Sequence, residues 1–368
     1  MTTLDDLYHS FGQSAWIDNI RRDWLNDGTL AQLVRDGARG VTSNPSIFAK
    51  AFATSDAYDE MIATLPSKDP EVVFETLAAN DVRDACDVLA PVYEASAADF
   101  AAGSRRFCDG YVSLEVSPRL AHDTEGTIAA AKRLFAEVDR PNVMIKIPAT
   151  LEGLPAITEV LGSGINVNVT LIFSLERYAQ VMDAWAKGIA LAATRGHDVG
   201  RIGSVASFFV SRVDAAIDGA LPQGHELRGK IANAQVAAAY QLYLDVIDSA
   251  PVAALLAAGA QVQRPLWAST STKDPSYYDL LYVDSIVANE TVNTMPDATL
   301  DATLDHGSFA DSLLIDAAVR ASTANLLEAL PSDISLEAVT TKLEADGVDA
   351  FIRSYDELLA TVSSKLQG

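Results

Sequence analysis

The chain has 368 residues, 49% of them hydrophobic, and a net charge of −23. This length allows one large domain or two ordinary ones with a well-filled core. The acidic charge disfavours nucleic acid or an anionic membrane as a partner, because both attract a basic surface. No apolar run reaches the roughly 18 residues that a membrane span needs.

The remaining bulk features indicate a protein of a reducing compartment. Residues 1–6 lack the basic and apolar regions of a signal peptide. The two cysteines form no disulfide framework, and neither they nor the five histidines show metal-ligand spacing. We therefore expect a cytoplasmic protein without a metal site.

Predicted strands alternate with amphipathic helical stretches along most of the chain. The strands are predicted at 15–20, 40–44, 110–116, 142–148, 165–173, 202–210, 265–270 and 281–287. The clearest helical stretches are 127–138, 175–193 and 233–250. This order predicts an α/β protein with a (β/α)8 TIM-type barrel, and an open parallel sheet is the alternative.

The residues after the last predicted strand have a different pattern. From about 308 to 366 they predict three further helices and no strand. A barrel of this kind takes about 250 residues, so the surplus fits insertions and a helical C-terminal extension. No linker, repeat or low-complexity tract interrupts the chain, and we expect residues 1–368 to form a single domain.

Two predicted strands alternate between polar and apolar residues. In 165–173, every second residue from Asn166 to Thr170 is polar, and the residues between them, up to Leu171, are apolar. The segment around Glu115 alternates in the same way. Because alternate side chains point to opposite faces, the polar set would line the barrel interior and mark a ligand site. An antiparallel strand with one solvated face would alternate similarly.

Lys146 is the most informative residue, because it interrupts the apolar strand at 142–148. Burying a lysine is costly unless it is paired or neutral. A neutral amine is a nucleophile, which is what Schiff-base chemistry on a carbonyl requires. The alternative is a lysine at a strand end that reaches solvent or forms a salt bridge.

Asp18 and Glu115 are carboxylates in predicted strands. Asp18 could instead cap a following helix, and Glu115 could pair with an arginine that fills the barrel. Together with Lys146 they suggest a mechanism. The amine forms an imine with a ketone, one group exchanges protons there, and a second carboxylate accepts a hydroxyl proton as the adjacent C–C bond breaks.

Four segments carry a family resemblance: GVTSNPS at 40–46, GYVSLEV at 110–116, MIKIPAT at 144–150 and GINVNVTLIF at 164–173. On these motifs, in this order, the chain resembles the transaldolases from about residue 12 to about residue 300. The resemblance implies a class I, Schiff-base-forming barrel of the non-oxidative pentose phosphate pathway. It would transfer a dihydroxyacetone unit from sedoheptulose 7-phosphate to glyceraldehyde 3-phosphate, giving erythrose 4-phosphate and fructose 6-phosphate. It implies sugar-phosphate substrates and no cofactor.

The resemblance also implies catalytic roles. Lys146 matches the Schiff-base lysine, and Asp18 matches the carboxylate that takes the proton from the sugar hydroxyl. Glu115 and Thr170 match the pair that holds the catalytic water.

Substrate-binding roles follow in the same way. Asn44 and Asn168 match side chains that bind the dihydroxyacetone hydroxyls or steady the lysine. Ser207, Phe209 and Arg212 fall in the segment VASFFVSR at 205–212, which matches the family's phosphate segment. The match implies that Ser207 and Arg212 are ligands of the substrate phosphate and that Phe209 is a substrate-binding residue. Arg212 would supply a planar fork suited to phosphate.

The segment WASTSTK at 267–273 departs from the family pattern. Ser269 matches a phosphate contact, but Ser271 stands where many transaldolases have an arginine. Lys273 follows two residues later and is the candidate replacement, although it is a point donor and not a planar fork.

Two other functions remain open from the sequence. The first is a lyase similar to fructose 6-phosphate aldolase, which releases free dihydroxyacetone; the pair Glu115 and Thr170 favours the transferase. The second is a non-catalytic barrel, which predicts the loss of Lys146, Glu115 or Asp18. The oligomeric state, monomer or homodimer, is not determined by the sequence.

Overall fold

The computed structural model describes residues 3–367, and its centre is one sheet of parallel strands. They are β1 (Ser14–Ile17), β2 (Val112–Glu115), β3 (Val143–Pro148), β4 (Val167–Ile172), β5 (Ser204–Phe209), β6 (Gln263–Ala268) and β7 (Val292–Met295). Their order across the sheet is β1-β7-β6-β5-β4-β3-β2. All of the pairings are parallel, as the βα alternation predicts.

A single residue, Val41, closes the sheet into a barrel. It forms parallel bridges to Ile17 of β1 on one side and to Val112 of β2 on the other. Its amide donates to the Tyr111 carbonyl at 2.9 Å, and its carbonyl accepts from the Ser113 amide at 2.9 Å. The strand predicted at 40–44 therefore occupies the expected place in the barrel, but it is reduced to one bridging residue.

Helices cover the outside of the barrel. Within residues 3–367 they are α1 (Thr3–Phe11), α2 (Arg22–Asp27), α3 (Thr29–Arg35), α4 (Pro45–Thr54), α5 (Asp59–Thr64), α6 (Pro70–Ala101), α7 (Thr124–Val138), α8 (Gly153–Gly162), α9 (Leu175–Thr194), α10 (Ser211–Ala220), α11 (Ile231–Ile247), α12 (Ala250–Ala257), α13 (Leu281–Asp284), α14 (Asp297–His306), α15 (Ala317–Ala324) and α16 (Leu336–Gln367). The helices predicted at 127–138, 175–193 and 233–250 are confirmed as α7, α9 and α11. None of the helices in the described part of the chain is both long and apolar enough to cross a membrane.

The strand predicted at 281–287 is wrong. Its first residues form the short helix α13, and the last barrel strand is β7, further along the chain. Tyr282, Val283 and Ile286 are all buried, so the run is apolar because it packs in the core. A short apolar run does not by itself distinguish a buried strand from a buried helix.

The C-terminal region contains helices, as predicted, and no strand among its described residues. After α14 the chain forms α15, a 3₁₀ turn at Asn325–Ala329 and then the 32-residue helix α16. Helix α16 buries Phe351, Tyr355, Leu358 and Val362 against the rest of the molecule. The extension is thus packed onto the barrel through a long apolar stripe.

A buried ion pair fills the N-terminal end of the barrel. The Arg264 guanidinium at the start of β6 is 3.2 Å from the Asp109 carboxylate, and both side chains are almost fully buried. Asp109 also accepts from Ser14 Oγ at 2.5 Å and from Trp16 Nε1 at 2.9 Å. An arginine does fill this barrel, but its carboxylate partner is Asp109 and not Glu115.

We expect Asp109→Ala to lower the free energy of unfolding by about 3–5 kcal/mol, because it leaves the buried Arg264 charge without its partner. Urea unfolding followed by circular dichroism measures the loss. Asp183→Ala is the matched control, since it removes an exposed pair with Lys187 and should cost no more than about 0.5 kcal/mol. Equal effects of the two substitutions would contradict a structural role for the Asp109–Arg264 pair.

Candidate active site

A cleft of about 180 Å³ opens at the carboxyl ends of the barrel strands, where parallel barrels place their ligand sites. The residues that line it come from most of the barrel strands and their following loops, and one comes from α16. They are Asp18, Thr42, Asn44, Ser46, Lys146, Thr170, Ser207, Phe209, Arg212, Ala268, Ser269, Ser271, Lys273, Thr294, Pro296 and Phe351.

Lys146 lies at the inner end of this cleft and is only 4% exposed. Its Nζ donates to the Ser43 carbonyl at 3.1 Å and is 3.3 Å from Glu115 Oε2. The sheet register explains the contact, because Glu115 of β2 and Asn168 of β4 both lie level with Lys146 of β3. The amine is therefore salt-bridged within the barrel and does not reach out to bulk solvent.

Glu115 and Thr170 each hold a buried oxygen with unused hydrogen-bonding capacity. Thr170 Oγ1 has no hydrogen-bond partner among the described residues, and Glu115 Oε2 has only the Lys146 amine, 3.3 Å away. Burial raises the pKa of the Glu115 carboxyl, and the Lys146 charge opposes this shift. Unpartnered buried oxygens are costly unless a water or a ligand supplies the hydrogen bond. These two atoms are suited to hold such a group beside the amine.

Asp18 does not cap a helix, so that alternative is wrong. Its Oδ1 accepts from Thr42 Oγ1 at 2.7 Å, and α2 begins after Arg21. Burial raises the pKa of Asp18, while the Lys146 charge and the Thr42 hydrogen bond lower it. A carboxyl with a raised pKa is a stronger base when ionised, which suits it to accept a proton from a hydroxyl.

Asn168 and Asn44 differ in their access to the cleft. Asn168 is fully buried below it, donating to Ser113 Oγ at 3.0 Å and accepting from Ser207 Oγ at 2.7 Å. Asn44 lines the cleft, and its Oδ1 accepts from the Ile47 amide at 3.0 Å as the N-cap of α4. The Ser207 hydroxyl thus links the cleft wall to Asn168.

Arg212 and Lys273 bring two positive charges to one side of the cleft. Arg212 is the second residue of α10, and no carboxylate in the described part of the chain pairs with it. Its Cζ is 5.6 Å from the centre of the Phe209 ring. Burial lowers the pKa of Arg212. Desolvation lowers the pKa of Lys273, and the charge of Arg212 lowers it further. A bound anion would therefore stabilise both cations.

The loop that carries Lys273 is organised by serine hydroxyls. Lys273 Nζ donates to Ser271 Oγ at 2.7 Å, so the lysine lies beside the position where the family arginine was expected. Ser269 Oγ is 3.0 Å from Ser211 Oγ, at the N-terminus of α10. Ser269 has φ +57°, a conformation that is uncommon for residues other than glycine and is often found at functional sites.

The regular alternation predicted for 165–173 ends at a bulge. The register of β4 against β5 shifts between Val169 and Ile172, and Leu171 has φ +61°. Leu171 therefore leaves the outward-facing apolar set, and its side chain reaches Gly347 of α16. A period-2 pattern cannot predict this departure, because a bulge adds a residue on one strand only.

The sequence analysis missed several lining residues. Thr42 follows the Val41 bridge and lies within a motif already noted, Thr294 lies in β7, and Pro296 follows that strand. Phe351 had no sequence signal that distinguishes it from an ordinary core aromatic of a helix. Within residues 3–367, no group of three or more His, Cys, Asp or Glu side chains is arranged to hold a metal ion.

Comparisons with known proteins extend these observations. The family model described as transaldolase/fructose-6-phosphate aldolase matches residues 15–362. A transaldolase of Saccharopolyspora erythraea is 50% identical, covering 100% of this chain and 99% of that protein. A transaldolase of Thermobifida fusca is 49% identical with 96% of both chains covered, and one of Thiobacillus denitrificans is 46% identical with 95% and 97% covered.

Fold, cleft and relatives together define an enzyme built on a parallel α/β barrel. The chain belongs to the transaldolase/fructose-6-phosphate aldolase family. It is a transferase, as its relatives' names indicate. The alternative of a non-catalytic barrel is therefore wrong.

The two cations predict an anion site that can be tested without substrate. Inorganic phosphate should raise the melting temperature of the protein, because a ligand that binds only the folded state stabilises it. Arg212→Ala should weaken phosphate binding by about ten- to a hundredfold and Lys273→Ala by about tenfold, since each removes a charge-assisted hydrogen bond.

Lys187→Ala is the control for this test, because it removes an exposed lysine of α9 far from the cleft. Its melting temperature should respond to phosphate as the unsubstituted protein does. An unchanged response in Arg212→Ala would show that phosphate binds elsewhere.

Proposed function

We propose that this protein is a transaldolase that transfers a dihydroxyacetone unit between ketose and aldose phosphates through a Schiff base on Lys146. The observation that carries the proposal is the buried Lys146 amine, held 3.3 Å from Glu115 in a cleft that Asp18 also lines. The overall reaction is sedoheptulose 7-phosphate plus glyceraldehyde 3-phosphate giving erythrose 4-phosphate plus fructose 6-phosphate.

Schiff-base formation uses the inner end of the cleft. Lys146 first gives a proton to Glu115, 3.3 Å away. The neutral amine then attacks the ketone carbon, and the carbinolamine takes up a proton and loses water to give a protonated imine. Glu115 exchanges the protons that this dehydration needs, assisted by a water held between Glu115 and Thr170. The unpartnered Thr170 Oγ1 and the Glu115 Oε2 atom, whose one contact is the Lys146 amine, support this assignment.

Carbon–carbon cleavage uses Asp18. Its carboxylate takes the proton from the hydroxyl next to the bond that breaks, the aldose leaves, and the bonding electrons move into the imine to form an enamine. The enamine carbon then attacks the carbonyl carbon of the acceptor aldose, whose oxygen takes the proton back from Asp18. Reversal of the first steps releases the new ketose and the free amine.

The far end of the substrate is the phosphate group. Arg212 and Lys273, with the Ser269 hydroxyl and the N-terminus of α10, supply the positive charge and hydrogen-bond donors that a phosphate dianion needs. Asn44 and Asn168 would bind or orient the three-carbon unit. Ser207 would be a further ligand of the phosphate, and Phe209 would line the substrate. The strongly acidic chain thus concentrates its positive charge where the anionic substrate enters.

A lyase that releases free dihydroxyacetone is the second candidate, because the matched family includes fructose 6-phosphate aldolases. The paired Glu115 and Thr170 oxygens favour the transferase. We place the reaction in the non-oxidative pentose phosphate pathway of the cytoplasm. The free thiols of Cys86 and Cys108 are compatible with that reducing compartment.

Borohydride trapping tests the proposal. Incubation with fructose 6-phosphate and borohydride, followed by digestion and mass spectrometry, should show a reduced three-carbon adduct on Lys146. Lys146→Arg keeps the positive charge but cannot form the imine, so it should show no adduct and no activity. An adduct on a different lysine would overturn the mechanism.

The pH dependence of kcat/KM tests the role of Asp18. Asp18 must be ionised to take the hydroxyl proton, and burial raises its pKa above the usual 3.8. Activity should therefore fall as the pH decreases through a value above 3.8. Asp18→Asn should lower kcat by about 10²–10⁴-fold while still forming the borohydride adduct. Full activity of Asp18→Asn with the same acid limb would exclude Asp18 as the base.

A further inference from the structure

The outer wall of the active site beside Lys146 does not come from the barrel. It is Phe351, a residue of the C-terminal helix α16 that lines the cleft and is only 5% exposed. The centre of its ring is 5.7 Å from Lys146 Nζ. The amine thus has Glu115 and the Ser43 carbonyl as polar neighbours and an apolar ring as a further one.

Polar contacts along α16 fix this ring over the mouth of the barrel. Ser354 and Tyr355 lie close to Phe351 on the helix: Ser354 Oγ accepts from Ser46 Oγ at 2.8 Å, and Tyr355 Oη donates to Glu71 at 2.9 Å. Glu344, two turns before Phe351, is 3.6 Å from Arg177 of α9. These contacts reach separate elements around the barrel, so the helix lies across the opening and is not attached at one end only.

The backbone is also adapted to this close approach. Gly347 lies one turn before Phe351, and a Cβ at Gly347 would be 3.1 Å from Leu171 Cδ2. Glycine in a helix interior is less favourable than alanine, and Leu171 has the unfavourable φ of +61°. The helix glycine and the positive φ of Leu171 are both locally unfavourable, and both occur at the contact where α16 packs beside the cleft.

We infer that Phe351 is a specificity-determining residue that favours transfer of the three-carbon unit over its release as dihydroxyacetone. This inference rests on the proposed Schiff-base function. The ring can neither donate nor accept a proton, and it excludes bulk water from its side of the lysine-bound intermediate. It therefore limits the supply of solvent protons to the enamine while the acceptor binds.

The two fates of the enamine differ in what bonds to its nucleophilic carbon. In release, that carbon takes a proton from solvent to give an iminium ion. Water then adds to the iminium carbon, and the C–N bond breaks to return the lysine amine, a proton and dihydroxyacetone. In transfer, the same carbon bonds to the carbonyl carbon of the acceptor. Exclusion of solvent protons slows only the first fate, whereas the water that later hydrolyses the product imine is held at Glu115 and Thr170.

The test compares Phe351→Ala and Phe351→Leu with the unsubstituted protein. With fructose 6-phosphate, one assay measures dihydroxyacetone released without an acceptor, and a second measures transfer to erythrose 4-phosphate. We expect Phe351→Ala to raise the ratio of release to transfer by about tenfold or more, and Phe351→Leu to raise it less. In deuterium oxide the released dihydroxyacetone should carry one carbon-bound deuterium.

Leu358→Ala is the matched control. Leu358 is a fully buried residue of the same helix and does not line the cleft. Its loss should weaken helix packing, and it should lower both activities together if it changes them at all. An equal rise of the ratio in Leu358→Ala would show that general loosening of α16 is the cause and would overturn the role of the Phe351 ring.

Borohydride trapping separates this inference from the proposed function. If the unsubstituted protein forms no adduct on Lys146, the Schiff-base function fails. If the unsubstituted protein and both Phe351 variants form the adduct with unchanged ratios, only the role of Phe351 fails. Adduct formation also reports a folded site in each variant.

Discussion

The contact between Lys146 and Glu115 is the constraint on which the rest of the structure depends. Two opposite charges lie 3.3 Å apart inside the barrel, and each side chain is only 5% exposed. Removing such charges from water is costly unless further hydrogen bonds satisfy their remaining donors and acceptors. The barrel provides the pairing through register, since parallel strands place the two residues level with one another. The polar groups of Asp18, Thr170 and the Ser43 carbonyl surround this pair inside the barrel. The polar interior of the upper barrel is the result.

The two ends of the barrel solve the problem of buried charge in different ways. At the N-terminal end, the Asp109 carboxylate accepts hydrogen bonds from Arg264, Arg39, Ser14 and Trp16. These donors occupy its acceptor positions and leave none for a ligand. At the C-terminal end, Thr170 Oγ1 has no hydrogen-bond partner among the described residues, and Glu115 Oε2 has only the Lys146 amine, 3.3 Å away. The Asp109 cluster has its hydrogen-bond acceptors occupied and stabilises the fold. The cluster around Glu115 and Thr170 can still hydrogen-bond to a water or a substrate, and a catalytic site needs that capacity.

Much of the fold was predictable from local periodicity, whereas most of the site residues, such as Asn44 and Arg212, were predicted from the family resemblance. The polar alternation around Asn166 and Thr170, the lysine in an apolar strand and the βα order each report a repeating geometry. The prediction of the last strand was wrong, because a short buried apolar run such as Leu281–Asp284 has the same sequence pattern whether it forms a helix or a strand. The Leu171 bulge and the position of Phe351 depend on contacts with α16, and tertiary contacts leave no periodic trace in the sequence.

The closure of the barrel at Val41 has a consequence for the position of the nucleophile. The backbone of residues 39–42 is hydrogen-bonded to β1 on one side and to the segment of β2 on the other. Backbone that is hydrogen-bonded on both sides resists local opening. Two residues after Val41, the Ser43 carbonyl accepts the hydrogen bond of Lys146. The carbonyl that holds the amine therefore follows directly on backbone that is anchored to both neighbouring strands.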